Sequence, residues 1–228
     1  MTVLAACYSP SLGEMRTLTG RWVKSVLLGT EVGHARDSVV RWVRPVRYLF
    51  VDAPQRVRLA ANSSFGQLQK TLAGAHRLEL EYVERGDPRL GRSGYITVFS
   101  KAPRDARYLA QIHQVYEPAS QADGWFTINW NEHFELTRAV VFVDPARDDR
   151  WLYHTVLGEM YQTLGPSNDS ALVRDSLLFE GGNVAGSLDQ LTQLDEQVLS
   201  LLYVELQPGD RLPDIAKAMQ RTRWFTED

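Results

Sequence analysis

"WLYHTVLGEMYQTLGPSNDS" (Trp151–Ser170) decides how this chain is read, because it holds a helical period, a start signal and a stop signal. Trp151, Leu152, Val156, Leu157, Met160, Tyr161 and Leu164 are the apolar positions of a helical run, and from Leu152 onward they recur at spacings of three and four. Asp148 or Asp149 supplies an N-cap ahead of them, and Gly165-Pro166 ends the run. These signals predict a helix over about 150–164. Immediately upstream, AVVFVD (Ala139–Asp144) is continuous and apolar, as a strand covered on both faces must be.

Working outward, Leu12 to Val32 spaces Met15, Leu18, Trp22, Val26 and Leu27 as an amphipathic helix. RYLFVD (Arg47–Asp52) reads as a strand that Pro54 limits, and Ser64 to Ala75 as a helix with Phe65, Leu68 and Leu72 on one face. LELEYV (Leu78–Val83), YITVFS (Tyr95–Ser100) and WFTINW (Trp125–Trp130) are further strands, with a Gly/Pro/Asp-rich loop at 84–94. Ala106–Tyr116, Leu188–Tyr203 and Pro213–Arg221 read as helices. The order predicts an α+β fold in which helices cover a mixed, twisted sheet. It is read as one domain over residues 12–228, with a sheet subdomain at about 12–164 and a helical C-terminal subdomain at about 165–228.

The 228 residues are 44% hydrophobic and 23% charged, with a net charge of −3, so no global positive field points to nucleic acid. Arg36, Arg41, Arg44, Arg47, Arg56 and Arg58 cluster, and their interleaving with Val, Trp and Leu reads as the solvent face of strands rather than a phosphate-binding stripe. The single cysteine, Cys7, excludes an intramolecular disulfide. Leu4-Ala5-Ala6-Cys7 has the small-residue pattern that precedes a lipidated cysteine. Six residues precede Cys7 and none is basic, whereas a signal peptide carries a basic start and about 7–15 apolar residues. Residues 1–11 are therefore read as the remnant of a longer signal or a tether, with a chance match as the alternative. Any membrane contact is expected only through a lipid anchor at Cys7.

Glu159 and Gly165 fall on two fixed positions of a known metal-binding pattern. Zinc peptidases place two histidines four apart on one helix, beside a glutamate that acts as general base. In the metzincin form a glycine then turns the chain so that a third ligand reaches back. Laid on that pattern, the ligand positions of this chain hold Gly158, Gln162 and Asn168. Glycine has no side chain, and amides bind zinc poorly beside imidazole. Neither Asp169, one position late, nor His154, one turn early and about 6 Å down the helix, restores the set. No zinc and no other cofactor is expected. The resemblance continues into a turn at Asp175-Ser176-Leu177-Leu178-Phe179, where metzincins carry a methionine, and into LTQLDEQVLSLLY (Leu191–Tyr203).

"EMYQTLGPSNDS", "DSLLF", "LTQLDEQVLSLLY" and "QPGD", with "RWVRPVRYLFVD" upstream, also resemble an uncharacterised proteobacterial family described as putative lipoproteins. The resemblance covers roughly residues 40–210. It implies a zincin-like fold without the ligand histidines, and a place in the cell envelope, periplasmic and lipid-anchored at Cys7. A cytoplasmic location is the alternative if Met1 is the true start.

Candidate site residues follow. Glu159 is either a retained general base or a structural carboxylate. Gln162 binds a ligand or caps a buried contact, and Asn168, Asp169 and Ser170 either line a cleft or stabilise their own turn. His154 is a packed histidine or a cleft residue, while His113 and His133 have no partner at metal spacing. Trp125 and Trp130 flank a strand that a zincin-like sheet would place at the groove edge, with core packing as the alternative. Asp195 is expected to brace the 168–170 loop. No G-x-S-x-G, P-loop or G-x-G-x-x-G occurs. Together these predict a non-catalytic protein whose cleft binds a peptide, a glycan or an envelope protein. The alternatives are a hydrolase acting through Glu159 with an unconventional metal site, and a structural subunit of an envelope assembly.

Overall fold

The computed structural model describes residues 15–29, 35–73, 78–91, 94–99, 123–180 and 188–222. Cys7, His113 and the helix expected at Ala106–Tyr116 lie outside the described residues. The elements run α1 (Leu18–Leu28), β1 (Val46–Val51), α2 (Gln55–Ala73), β2 (Leu80–Tyr82), β3 (Tyr95–Phe99), β4 (Gly124–Trp130), β5 (Leu136–Val143), α3 (Asp149–Gln162), α4 (Gln193–Ser200) and α5 (Leu212–Arg221). The architecture is α+β.

The five strands form one mixed sheet in the order β2-β1-β3-β5-β4. The first four are parallel to one another, and β4 runs antiparallel to β5 at the edge of the sheet among the described residues. Alternation along β5 divides its apolar residues between two faces. Ala139, Val141 and Val143 join the main core, whereas Val140 and Phe142 form a small cluster on the other face with Val51 and Trp125. Burial on both faces explains why β5 is continuous in apolar residues over 139–143. Each such Val or Phe contributes about 1.5–3 kcal/mol relative to exposure. α3 packs on α2 and across β4 and β5, and this layer positions the site.

Local signals account for the ends of α3. The Asp148 side chain accepts from the Trp151 amide, so one of the two anticipated caps is used. After Gln162 the chain turns through Gly165, whose φ of 129° lies where only glycine is comfortable. α2 starts at Gln55, well before the anticipated Ser64. Its first turns bury only Val57, Ala60 and Ala61, a faint apolar period, and Pro54 opens the helix as well as closing the strand. α4 starts at Gln193 rather than Leu188, because Thr192 and Asp195 form a reciprocal capping box there. It continues as a π-helical turn over Leu201–Glu205.

The arginine cluster requires a correction. Only Arg47 lies on a strand, where it faces Glu81. Arg36 donates to the carbonyls of Leu27 and Gly165 and to Ser167 Oγ, so one guanidinium joins the end of α1 to the turn after α3. Burial lowers its pKa to about 10. Arg41 donates to the carbonyls of Leu202 and Tyr203 and lies 5.5 Å from the centroid of the Tyr203 ring. Arg56 reaches Pro145 O, Arg147 O and Asp149, tying α2 to the start of α3. These side chains are long-range clamps, which the Val/Trp/Leu interleaving did not suggest. Trp42 Nε1 donates to Thr163 O as a further clamp. One core cluster accordingly takes residues from both sides of position 164, from Met15 to Met219.

Candidate functional site

α3 has two unlike faces. Leu152, Val156, Leu157, Met160 and Tyr161 are buried in the core. Across the axis, Trp151, His154, Thr155, Gly158, Glu159 and Gln162 line a cleft of about 440 Å³. Spacings of three and four carry both sets. The opposite wall comes from Asp123 and Gly124 at the start of β4 and from Leu177, Leu178 and Glu180, with Asp169 and Arg147 completing the lining.

Two glycines shape this space. A Cβ on Gly124 would overlap the Thr155 methyl and stand 2.9 Å from Glu159 Oε1, so glycine here lets the helix lie against the edge strand. A Cβ on Gly158 would meet nothing within 4 Å, so the first ligand position of the metzincin pattern opens onto empty cleft. Gln162, at the second, is buried and donates from Nε2 to Asp169 Oδ1 at 2.9 Å.

Asn168, at the third, does not line the cleft. Its Nδ2 donates to Ser25 Oγ at 3.0 Å and to Asp169 O, and its side chain fills the space beside Gly29. Asp169 lines the cleft in its place. Ser170 is also turned away: its amide donates to Leu178 O, and its Oγ accepts from the Leu172 amide. Asn168 thus ties this segment to α1, and Ser170 ties it to the backbone at 172 and 178.

His154 borders the cleft and contacts Leu188 O through Nδ1 at 2.7 Å. A carbonyl only accepts, so Nδ1 carries the proton. Burial holds the ring below its ordinary pKa, which favours the neutral form despite the opposing pull of that carbonyl. Trp151 meets the ring edge-on, with centroids 6.0 Å apart.

Asp195 braces a different loop from the one anticipated. Fully buried, it accepts from Ser176 Oγ at 2.8 Å, the Leu177 amide at 3.0 Å, and the amide and hydroxyl of Thr192. Burial raises its pKa, against these hydrogen bonds. The result is a fixed 176–178 turn that presents Leu177 and Leu178 to the cleft. The sequence placed this turn correctly but named the wrong loop for Asp195.

Trp125 is a second correction. Gly124 faces α3, so alternation turns Trp125 to the other side of the sheet, where it stacks on Phe142 at 5.4 Å. Its packing role holds, and it takes no part in the cleft. Trp130 is exposed near the end of β4, with the Arg36 guanidinium 5.7 Å from its ring centroid. Sequence reading missed Trp151 and Thr155, which a helical wheel drawn from Glu159 would have found, and Asp123, Arg147 and Glu180, which carry no local signal. Arg147 Nε donates to Asp123 Oδ1 at 2.6 Å, closing one rim. Among the described residues no group of three or more His, Cys, Asp or Glu is arranged to hold a metal ion. No helix among them is long and apolar enough to cross a membrane.

Fold and site together define an α+β protein with a polar cleft between α3 and β4, the edge strand among the described residues. The family described as "Protein of unknown function (DUF2927)" matches residues 21–221, and the chain belongs to it. No curated protein matches the chain.

Proposed function

We propose that the protein is a non-catalytic, zincin-like binding protein of the bacterial cell envelope, and that its cleft receives an extended peptide segment. The observation that carries this reading is the open cleft over Gly158, flanked by Gln162 and Asp169, at the start of a strand that forms the sheet edge among the described residues. An edge strand offers unpaired backbone groups to an extended partner. The neighbouring cleft is of a size that takes a side chain, since ligand pockets run to about 300–1,000 Å³. A helix with Glu159 beneath an antiparallel edge strand fits the plan of the zinc peptidases. Gly158, Gln162 and Asn168 at their ligand positions favour binding over hydrolysis. Placement in the envelope rests on Leu4-Ala5-Ala6-Cys7. A plugged cleft would have favoured a purely structural subunit.

A displayed library of linear peptides, selected in parallel on the full chain and on Gly158→Phe, tests this. Position 158 opens into space, so the phenylalanine fills the cleft without disturbing the core. Peptides retained by the unaltered protein and lost by a variant of equal Tm are expected. Equal retention by both proteins, or no enrichment on either, sinks the reading.

A hydrolase is the second reading, favoured by Glu159 and His154 bordering one cleft. A stoichiometric metal that binds the purified protein and is lost in Glu159→Ala or Asp169→Ala would replace the first reading with this one.

A further inference from the structure

We propose that the group this cleft reads is an uncharged amide of the bound segment, which accepts a hydrogen bond from the Thr155 hydroxyl and donates one to His154 Nε2. This rests on the reading of the cleft as a peptide-binding site and names the contact made there. Thr155 and His154 are neighbours on α3, and both line the cleft. Thr155 is only 9% exposed, yet its Oγ1 has no hydrogen-bond partner among the described residues. His154 commits its Nδ1 proton to Leu188 O, which leaves Nε2 as a lone-pair acceptor, also without a partner among the described residues. Neither atom is sealed from the cleft. Nearly all buried polar groups find a partner, so a hydroxyl held without one beside an open cleft is placed for a partner that arrives from outside.

Both groups are held in place. The Thr155 methyl lies against Gly124 at the start of β4, so the hydroxyl is the part of the side chain left for the cleft. The bond to Leu188 O and the edge-on contact with Trp151 fix the His154 ring, and burial favours its neutral form, in which the lone pair exists. A threonine hydroxyl gives a proton and a neutral imidazole takes one. An amide supplies both the matching carbonyl and the matching N–H, in a peptide backbone or in an Asn or Gln side chain. A carboxylate has no proton for Nε2, and an ammonium has no acceptor for the Thr155 proton. A sugar hydroxyl could satisfy either group. The pair lies beside Gly124, however, at the beginning of a strand that forms the sheet edge among the described residues, and such an edge suits an extended peptide.

The test is an NMR titration of the full chain at neutral pH with three probes. These are N-acetylglycinamide, N-acetylsarcosine dimethylamide (which keeps the carbonyls but has no N–H) and methyl glucoside. Saturable shifts of the His154 Nε2 nitrogen and the Thr155 backbone amide are expected with the first. The other two should bind at least about tenfold more weakly, a difference of about 1.4 kcal/mol. Thr155→Val should weaken N-acetylglycinamide by at least about threefold, or about 0.7 kcal/mol, at an unchanged Tm. Thr155→Ser, which keeps the hydroxyl, should bind it as the unaltered chain does. Equal weakening by both variants would make Thr155 a packing residue and overturn its assignment. The Nε2 shift is read in the unaltered chain, so it decides even where a variant fails to fold. Equal affinity for the N-methylated probe overturns the bond to His154, and equal affinity for the glucoside overturns the choice of an amide. No shift with any probe overturns the proposal, and the peptide selection on Gly158→Phe then decides the binding reading independently.

Discussion

Gly158 and Gly165 stand seven residues apart on the same stretch and serve opposite purposes. At Gly165 the backbone has φ 129°, and a Cβ would stand 2.6 Å from Val40 O and 2.8 Å from Leu202 Cδ2. At Gly158 the backbone is helical, and a Cβ would meet nothing. One glycine exists because the chain closes tightly there, the other because the molecule is open there. The contrast extends to their surroundings. Around 165, Trp42, Arg36 and Tyr203 place their polar atoms on the carbonyls of Thr163, Leu164 and Gly165. Around 158, polar side chains line a cleft. A helix interior normally avoids glycine at a cost of about 0.5–1 kcal/mol relative to alanine, so an open glycine on α3 marks a place where space is used.

The largest effect should come from Gly165→Ala. A strained φ and a backbone overlap each cost on the order of 1–3 kcal/mol, so urea unfolding should show a loss of about 3 kcal/mol or more. A loss under about 1 kcal/mol would mean that the turn relaxes easily and that the contrast with Gly158 is false. Gly158→Ala should move stability the other way, by about 0.5–1 kcal/mol, since it gains helix propensity and meets no atom. A destabilised Gly158→Ala would show the cleft to be narrower than described.

The smallest effect concerns pH. His154 is held below its ordinary value of 6.5, chiefly by burial, so the unfolded chain binds that proton more readily than the folded one. The stability contributed by the neutral ring is complete above pH 6.5 and is lost as pH falls from there through the folded-state pKa. His154→Gln should flatten the fall in Tm between pH 7 and pH 5 relative to the unaltered chain; identical profiles would place His154 in a more solvated setting.

The same contrast separates what could be read in advance from what could not. α3, its Asp148 cap and its Gly165 stop were legible because each depends on residues within one or two turns. The 139–143 part of β5 was legible because burial on both faces leaves an uninterrupted apolar run there. Trp125 was misplaced because its side of the sheet depends on the register of β4 against β5 and on Gly124 facing α3. The one-residue exchange of Asn168 for Asp169 at the cleft depends on Ser25, more than a hundred residues upstream, drawing the Asn168 amide towards α1.

The sequence by itself determined the α+β class, a helix expected over about 150–164 and found over 149–162, and the family to which the chain belongs. Tertiary structure alone decided the strand order, the roles of Arg36 and Arg41 as clamps, the brace that Asp195 gives to 176–178, and the set of side chains that shares the cleft. The physical reason is range. Periods, caps and turns are short-range consequences of backbone geometry. Which face a tryptophan takes, or which carbonyl an arginine finds, is fixed only when distant segments close a common core.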